Sequence, residues 1–422
     1  MTTTKKITLN VQSEVGKLDA VLLHYPGPEV ENMTPKYASR ALYNDILNLS
    51  VARKEYDQLK GVLQKVCTTF EVSELLEKVL KDESLKANLL SEICEAENVP
   101  DYFDLLMDLP THTLTKILIE GMPAKIKTLT DFFREDYYAL KPLYNFYFTR
   151  DSSVIIGDNA MVCKMANDVR LRESLIMNAI FKSELFFDTN ILDMNALAQN
   201  DEEVKIEGGD VLIVSDDILL IGNGSRTSSQ AIDLLIKNLC TFKTGKKHVI
   251  VQQLPSTPES FIHLDMIFTL LDTNTAMVYR PMILNNNTYK TVHLQIDNGK
   301  VTKIATVANI PSVLRKLGME IEPIICGGTS DDWDQEREQW HSGANFLAIA
   351  PGKVLSYERN IHTLEELNKN GFNIVSAWDV INDKYNIYSS DKCVITIEGS
   401  ELPRGGGGPR CMTMPLVRKN IQ

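Results

Sequence analysis

The stretch Glu207-Gly208-Gly209-Asp210-Val211-Leu212-Ile213-Val214-Ser215-Asp216-Asp217-Ile218-Leu219-Leu220-Ile221 holds a polar head, an apolar run, a two-residue turn and a second apolar run. Aliphatic and β-branched residues on both sides of an Asp-Asp turn predict a hairpin of buried strands. The order recurs. Thr149-Arg150-Asp151 leads into Ser153 to Cys163 around Gly157-Asp158-Asn159, and His263-Leu264-Asp265 leads into Met266 to Tyr279 around Asp272-Thr273-Asn274. Ser342-Gly343-Ala344-Asn345 leads into Phe346 to Tyr357 around Pro351-Gly352. A terminal unit, Val394 to Leu416, is expected to supply strands on both sides of a glycine run. Helical periodicity follows at Leu171 to Phe181, Ser228 to Leu239, Ile310 to Leu317 and His362 to Asn370. Strand-strand-helix-strand units repeated around an axis build a propeller-like closed array, which removes exposed sheet edges. The polar heads hold one place in every unit, so they are expected to converge.

Ahead of these units, Leu18 to Tyr25 predicts a buried strand ended by Pro26-Gly27-Pro28. Lys36 to Val66 predicts a helix with Leu42, Ile46, Leu47, Val51, Leu59 and Leu63 on one face. Between Val62 and Glu120 there is no glycine, and leucines recur at helical spacing: Leu75, Leu76, Leu80, Leu89, Leu90, Leu105, Leu106, Leu114 and Leu118. Pro100 and Pro110 cut this segment into short amphipathic helices that need one another to bury their stripes. Residues 73–135 are therefore expected to form a helical bundle inserted into an α/β unit made of residues 1–72 and 136–422.

At 422 residues, with 44% apolar and 24% charged content, the chain has the composition of a globular protein with a large core. Its 56 acidic and 44 basic groups leave a net charge of −12, which argues against a nucleic-acid partner and suits a cationic small substrate. No apolar run approaches bilayer length, and Met1 to Val15 carries no signal-like apolar region. A soluble, cytoplasmic protein is expected. Seven cysteines with no CxxC pair fit a reducing compartment without a disulfide framework or zinc ribbon. Cys67, Cys163 and Cys240 lie in apolar surroundings and read as buried small hydrophobes.

Near the C-terminus, Gly405-Gly406-Gly407-Gly408-Pro409-Arg410-Cys411 lets the backbone approach a ligand closely and delivers a thiol beside a cation, which favours the thiolate. It lacks the ending of a phosphate-binding loop. Convergence of the unit heads would add Asp151, Glu207, Asp210, His263 and Asp265 to Cys411. Such a set serves as metal ligands, as separate turn and cap residues, or as carboxylates around a guanidinium; the spacing is not that of a zinc site. Paired buried acids repel unless a cation sits between them, and a planar guanidinium offers bidentate contacts to both. Held there, its carbon faces the thiol, and a histidine within reach can protonate a leaving amine and then activate water. Arg226 stands before Thr227-Ser228-Ser229-Gln230, read as a capping box, and Arg170 begins the helix after it; an arginine at a helix start is either solvated or aimed at an anion such as a carboxylate.

The motifs Asn145-Phe146-Tyr147-Phe148-Thr149-Arg150-Asp151, Glu207-Gly208-Gly209-Asp210, Ser225-Arg226-Thr227, His263-Leu264-Asp265 and Arg410-Cys411-Met412-Thr413-Met414-Pro415-Leu416 together resemble the arginine deiminase family, in order and over almost the whole chain. The resemblance implies a five-fold pseudosymmetric α/β propeller of ββαβ repeats with an inserted α-helical bundle. It implies conversion of L-arginine to L-citrulline and ammonia with no metal and no cofactor, in a homodimer or homotetramer. Cys411 would be the nucleophile, forming an S-alkylthiouronium intermediate, His263 the acid and base, and Glu207 its support. Asp151 and Asp265 would grip the guanidinium. Asn145, Arg170 and Arg226 would bind the carboxylate, with backbone near Phe148 and Gly405 holding the amino acid. Two departures stand out: Gly406 replaces an arginine common in the loop, and an early acidic motif reads Leu42-Tyr43-Asn44-Asp45, one acid short. Other guanidino substrates (agmatine, a methylated arginine), amidinotransfer and a non-catalytic arginine-binding paralogue are the alternatives. Agmatine has no carboxylate for the arginines to meet, and a silent paralogue would typically have lost Cys411 or His263.

Overall fold

The structure, a computed structural model, describes residues 6–34, 45–126, 128–133, 137–199, 201–241 and 247–421. Among them, five sheets follow one plan, in which the second strand of an antiparallel pair also runs parallel to a third strand reached through a helical crossover. In one, Ser153–Ile156 pairs with Asn159–Val162, and helix Leu171–Lys182 leads to Asn190–Asp193. In the next, Val211–Ile213 pairs with Ile218–Asn223, and helix Ser229–Thr241 leads to His248–Gln253. Phe268–Asp272, Thr275–Val278, helix Ile310–Lys316 and Glu322–Ile325 repeat the order. So do Leu347–Ala350, Lys353–Tyr357 and Cys393–Ile397, with Asn373–Ser376 added at the edge. Continuous apolar runs suit these strands because parallel neighbours and covering helices bury both faces. The polar heads accordingly stand together at the starts of the first strands.

The remaining sheet corrects the expectation for the terminal unit. Cys393–Ile397 belongs to the last sheet, whereas Met414–Arg418 runs antiparallel to Leu18–Leu23, which in turn pairs with Thr68–Glu71. This unit is thus assembled from both ends of the chain. The glycine run cannot be the turn of a hairpin, because it carries the backbone from one sheet to another through a short helical turn, Leu402–Gly405. The expected helix from Lys36 also changes: residues 35–44 lie outside the described residues, and the helix observed is Leu49–Val66. Asn48 fixes its start, accepting the Ser50 and Val51 N–H groups on its side-chain oxygen. The unit pattern gave no warning of a further hairpin, Thr291–Asp297 with Lys300–Val307, which widens the sheet of Ile218–Asn223 by pairing with His248–Gln253 and closes over an Asn298-Gly299 turn with φ of 49° and 72°.

Helices Val72–Val79, Glu83–Ala96, Phe103–Met107 and Thr111–Glu120 occupy the leucine-rich segment. Leu76, Leu90, Ile93, Leu114 and Leu118 are wholly buried in one cluster with Ile176, Ile180 and Phe181 of helix Leu171–Lys182. Their stripes therefore bury one another and also cover a helix of the sheet region. Leu105, counted in the stripe from its spacing, is exposed; it sits on a helix of one turn, too short to hold the register. Among the described residues no helix is long and apolar enough to cross a membrane.

Candidate active site

Short helical turns carry three of the heads: Thr149–Ser152, Gly208–Asp210 and Leu264–Met266. Glycine lets them close on one another, since a Cβ at Gly209 would collide with the His263 ring. Asp151, Glu207, Asp210, His263, Asp265 and Cys411 are all buried at this junction.

His263 is held between two acids. Its Nε2 lies 2.9 Å from Glu207 Oε2, and its Nδ1 lies 3.7 Å from Asp151 Oδ1. Burial opposes its charge, but Asp151, the Glu207 hydrogen bond and Asp210 outweigh it and raise its pKa to about 9. Burial likewise opposes ionisation of Glu207, yet the His263 bond and Arg226, whose Nη1 is 3.6 Å from Oε1, bring it down to about 2. The pair is an imidazolium carboxylate. Asp210 stands behind it, accepting the Leu264 N–H at 2.9 Å, and burial raises its own pKa to about 6.

Two buried arginines hold the other acids. Arg170 Nη1 donates to Asp151 Oδ2 at 2.7 Å, while its Nε and Nη2 meet both oxygens of Glu173. Arg410 Nη1 donates to Asp265 Oδ2 at 2.8 Å, while its Nε and Nη2 meet both oxygens of Glu14. In each aspartate the second oxygen, Oδ1, is buried and has no hydrogen-bond donor among the described residues. Two expectations change here. Arg170 reaches the cavity, but its guanidinium is already engaged by two carboxylates and the Asn145 and Phe148 carbonyls. Arg410 gives its hydrogen bonds to Glu14 and Asp265, and its pull on the Cys411 thiol is outweighed: burial, then Asp265 and Asp151, push the thiol well above its ordinary range.

Cys411 Sγ is 3.7 Å from Asp265 Oδ2 and receives the Asn345 side-chain N–H at 3.2 Å. Asn345 was not among the expected site residues, although it heads the Phe346–Tyr357 hairpin as the aspartates head theirs. Glu14 was also missed; it lies just ahead of Leu18–Leu23, the second strand of its pair, so it does not share the place of the other heads. Glu173 had a local signal, three residues after Arg170 on one helix face.

A cavity of about 20 Å³ joins these groups. Asn145, Phe148, Asp151, Arg170, Arg226, His263, Gly405 and Cys411, all expected site residues, line it together with Ile262, Gly406 and Gly407. Glu207 and Asp265 stand behind the lining. A larger outer cavity, about 490 Å³, shares Arg226, Ile262, Gly405 and Gly406 with it and carries Asp45, Trp340, His341 and Arg404 on its walls. The reactive side chains line or back the small chamber, and the large one adjoins it. Of the early acidic motif, Leu42 to Asn44 lie outside the described residues; Asp45 pairs with Arg404. Gly406 adopts a φ of 85° with open space where a side chain would stand. The capping box does not form: Thr227 Oγ1 accepts the Glu207 N–H, and Ser228 caps the helix by accepting from Ala231.

Asp151, Glu207 and His263 bring three potential metal-ligand atoms within 4.8 Å of one another. Both carboxylates already face guanidinium groups, and both ring nitrogens face carboxylates as an imidazolium, so the cluster suits an organic cation better than a metal ion.

The arginine deiminase family model matches residues 39–418. The arginine deiminase of Listeria innocua is 34% identical, covering 98% of this chain and 99% of the relative. That of Oenococcus oeni is 32% identical, covering 99% of each. Among solved structures, the N-terminal domain of ArgZ bound to product, described as an arginine dihydrolase from the ornithine-ammonia cycle in cyanobacteria, superposes with a TM-score of 0.53 at 14% identity, covering 95% of this chain and 98% of that one. SxtG, described as an amidinotransferase from Microseira wollei in saxitoxin biosynthesis, gives 0.53 at 12% identity and 98% coverage of each. Both likenesses show a shared α/β fold.

Proposed function

The chain belongs to the arginine deiminase family, and from that footing we propose that it hydrolyses L-arginine to L-citrulline and ammonia through a covalent bond to Cys411. The observation that carries this reading is the pair of orphaned oxygens, Asp151 Oδ1 and Asp265 Oδ1, buried beside one thiol and one imidazolium. A buried carboxylate oxygen without a donor costs about 1–3 kcal/mol or more, and guanidinium N–H groups satisfy both at once.

Bound there, the substrate cation offsets the two carboxylates that keep Cys411 protonated, so binding itself favours the thiolate. The thiolate adds to the guanidinium carbon. His263 gives a proton, through the nitrogen not held by Glu207, to one amino group of the tetrahedral adduct, which leaves as ammonia as the C–N bond breaks and the S-alkylthiouronium forms. Neutral His263 then takes a proton from water as the hydroxide adds to the same carbon. The C–S bond breaks with its electron pair leaving on sulfur as the thiolate, the hydroxyl proton passes to solvent as the carbonyl forms, and citrulline leaves. Glu207 keeps the imidazole oriented and favours its charged form.

Arg226, at the junction of the two cavities, is our choice for the α-carboxylate, with Asn145 and backbone near Phe148 and Gly405 completing the grip. Arg170 contributes its charge while fixing Asp151. We further read the five sheets as blades of a five-fold pseudosymmetric α/β propeller, residues 73–135 as an insertion in it, and the protein as a cytoplasmic homodimer or homotetramer. The test is a ureido-product assay with L-arginine and agmatine in parallel. Citrulline from L-arginine alone is expected, and none from Cys411→Ser. Equal turnover of agmatine, or near-normal rates in the serine variant, would sink the substrate or the covalent mechanism respectively.

A further inference from the structure

The Asn345 side chain is wholly buried and makes four polar contacts. Its Oδ1 accepts the backbone N–H groups of Arg410 at 3.0 Å and Cys411 at 3.2 Å. Its Nδ2 donates to the Asp265 carbonyl at 3.2 Å and to Cys411 Sγ at 3.2 Å. The orientation of the amide follows from chemistry: two N–H groups on one side demand the oxygen, and a carbonyl on the other demands the nitrogen. The NH₂ group therefore must face the sulfur. Gly408 secures this seat, since a Cβ there would press against Asn345 Oδ1 and Cβ. Unlike Asn145 or Arg226, Asn345 does not line the cavity; it backs the sulfur from the protein side.

We infer that Asn345 is a further catalytic residue, an uncharged donor to the Cys411 sulfur that stabilises the thiolate both when it forms and when it departs from the product. A donor to an anion is worth more than one to a neutral atom, so the contact strengthens as the thiol ionises. It also answers a need of this site, because the acids that grip the substrate lie close enough to the sulfur to oppose its charge, and the Arg410 guanidinium gives its hydrogen bonds to Glu14 and Asp265 and none to the sulfur. A neutral amide supplies the missing stabilisation without competing for the carboxylates. The kinetic part of this inference rests on the deimination reading, and the thiol chemistry stands without it.

The test is the pH dependence of iodoacetamide labelling, read on the Cys411 peptide by mass spectrometry, in wild type, Asn345→Asp and Asn345→Ala, with citrulline formation measured alongside. Asn345→Asp keeps both acceptor bonds to the loop and puts an oxygen against the sulfur. It is expected to move the labelling midpoint up by at least one pH unit and to cut kcat tenfold or more, with KM within about threefold because the residue lies outside the cavity. Asn345→Ala should shift the midpoint in the same direction by less. An unchanged or lowered midpoint in the folded variants would overturn the inference. So would loss of fold in both, which would assign the amide to the scaffold alone. A shifted midpoint in a chain that makes no citrulline would keep this inference and remove the deimination reading; citrulline with an unshifted midpoint would do the reverse.

Discussion

Asp151 and Asp265 are held alike and sit in opposite fields. Each gives one oxygen to a buried arginine, each arginine is clasped by a glutamate, and each aspartate keeps its other oxygen free of donors. Around Asp151 the surplus is acidic: Glu173 and Glu207 stand near Arg170, and burial raises the pKa of Glu173. Around Asp265 the surplus is basic. Burial would raise Glu14, but Arg410, Arg150 and Arg418 hold it at about 2, while burial lowers Arg150 to about 9 and Arg418 to about 10. The acidic side keeps the proton on His263, which the leaving amine takes up in the proposed reaction. The basic side gathers behind Asp265, whose Oδ2 is 3.7 Å from the sulfur that takes negative charge in the proposed reaction. One clamp geometry would thus serve the two chemical tasks of the proposed reaction through the groups behind it.

The largest effect expected from breaking this comparison is on the shared grip. Asp151→Asn and Asp265→Asn should each lower kcat/KM for L-arginine by at least about a hundredfold, since each removes a buried charge from a cation. Retention within tenfold by either variant, in steady-state assays, would mean that the two oxygens do not hold the guanidinium together.

Next come the two glutamates, which separate the fields. Glu14→Gln strands three buried arginines against Asp265 and should destabilise the fold by about 3–5 kcal/mol, read by urea unfolding. Glu173→Gln removes an acid from an acid-rich cluster and should lose clearly less. Equal losses would erase the distinction.

A smaller and reversible probe is pH. His263 has its pKa raised from 6.5 to about 9, so its contribution to stability is fully present below the unfolded value and is lost as pH rises through about 9. Glu207, depressed from 4.5 to about 2, contributes above 4.5 and loses its share as pH falls through about 2. The melting temperature of the wild type should therefore decline between pH 8 and 10 more steeply than that of His263→Asn. Parallel curves would detach His263 from the acidic side. The smallest effect belongs to an exposed pair: Arg404→Ala, which breaks the contacts to Asp45 and Glu401, should change stability by no more than about 1 kcal/mol. A loss comparable with that of Glu14→Gln would show that the loop, and not the buried clamps, dominates.

Much of this was legible from the chain. Each reactive side chain heads a hairpin, and strand, turn and head are local patterns, so Asp151, Glu207, His263 and Asp265 announced themselves by their place in a unit. Cys411 was marked by the glycines before it. The clamps were not legible, because Glu14 meets Arg410 across 396 positions of sequence and no local spacing links them. Arg170 and Arg410 show the same limit from the other side. Charge and position suggested a carboxylate receptor and a thiolate activator, whereas the direction of each guanidinium depends on which buried acid it meets.

The sequence by itself determined the repeated units, the reactive residue types, their order and the family to which they belong, because periodicity, turn chemistry and motif are properties of neighbouring residues. Only the tertiary structure decided that the first unit draws a strand from each end of the chain. It alone decided which aspartate oxygens lack a donor, and that an asparagine and not an arginine faces the sulfur. These are matters of where buried polar atoms find partners, and a buried charge or amide takes its partner from whatever the fold brings within hydrogen-bond reach, however distant in sequence.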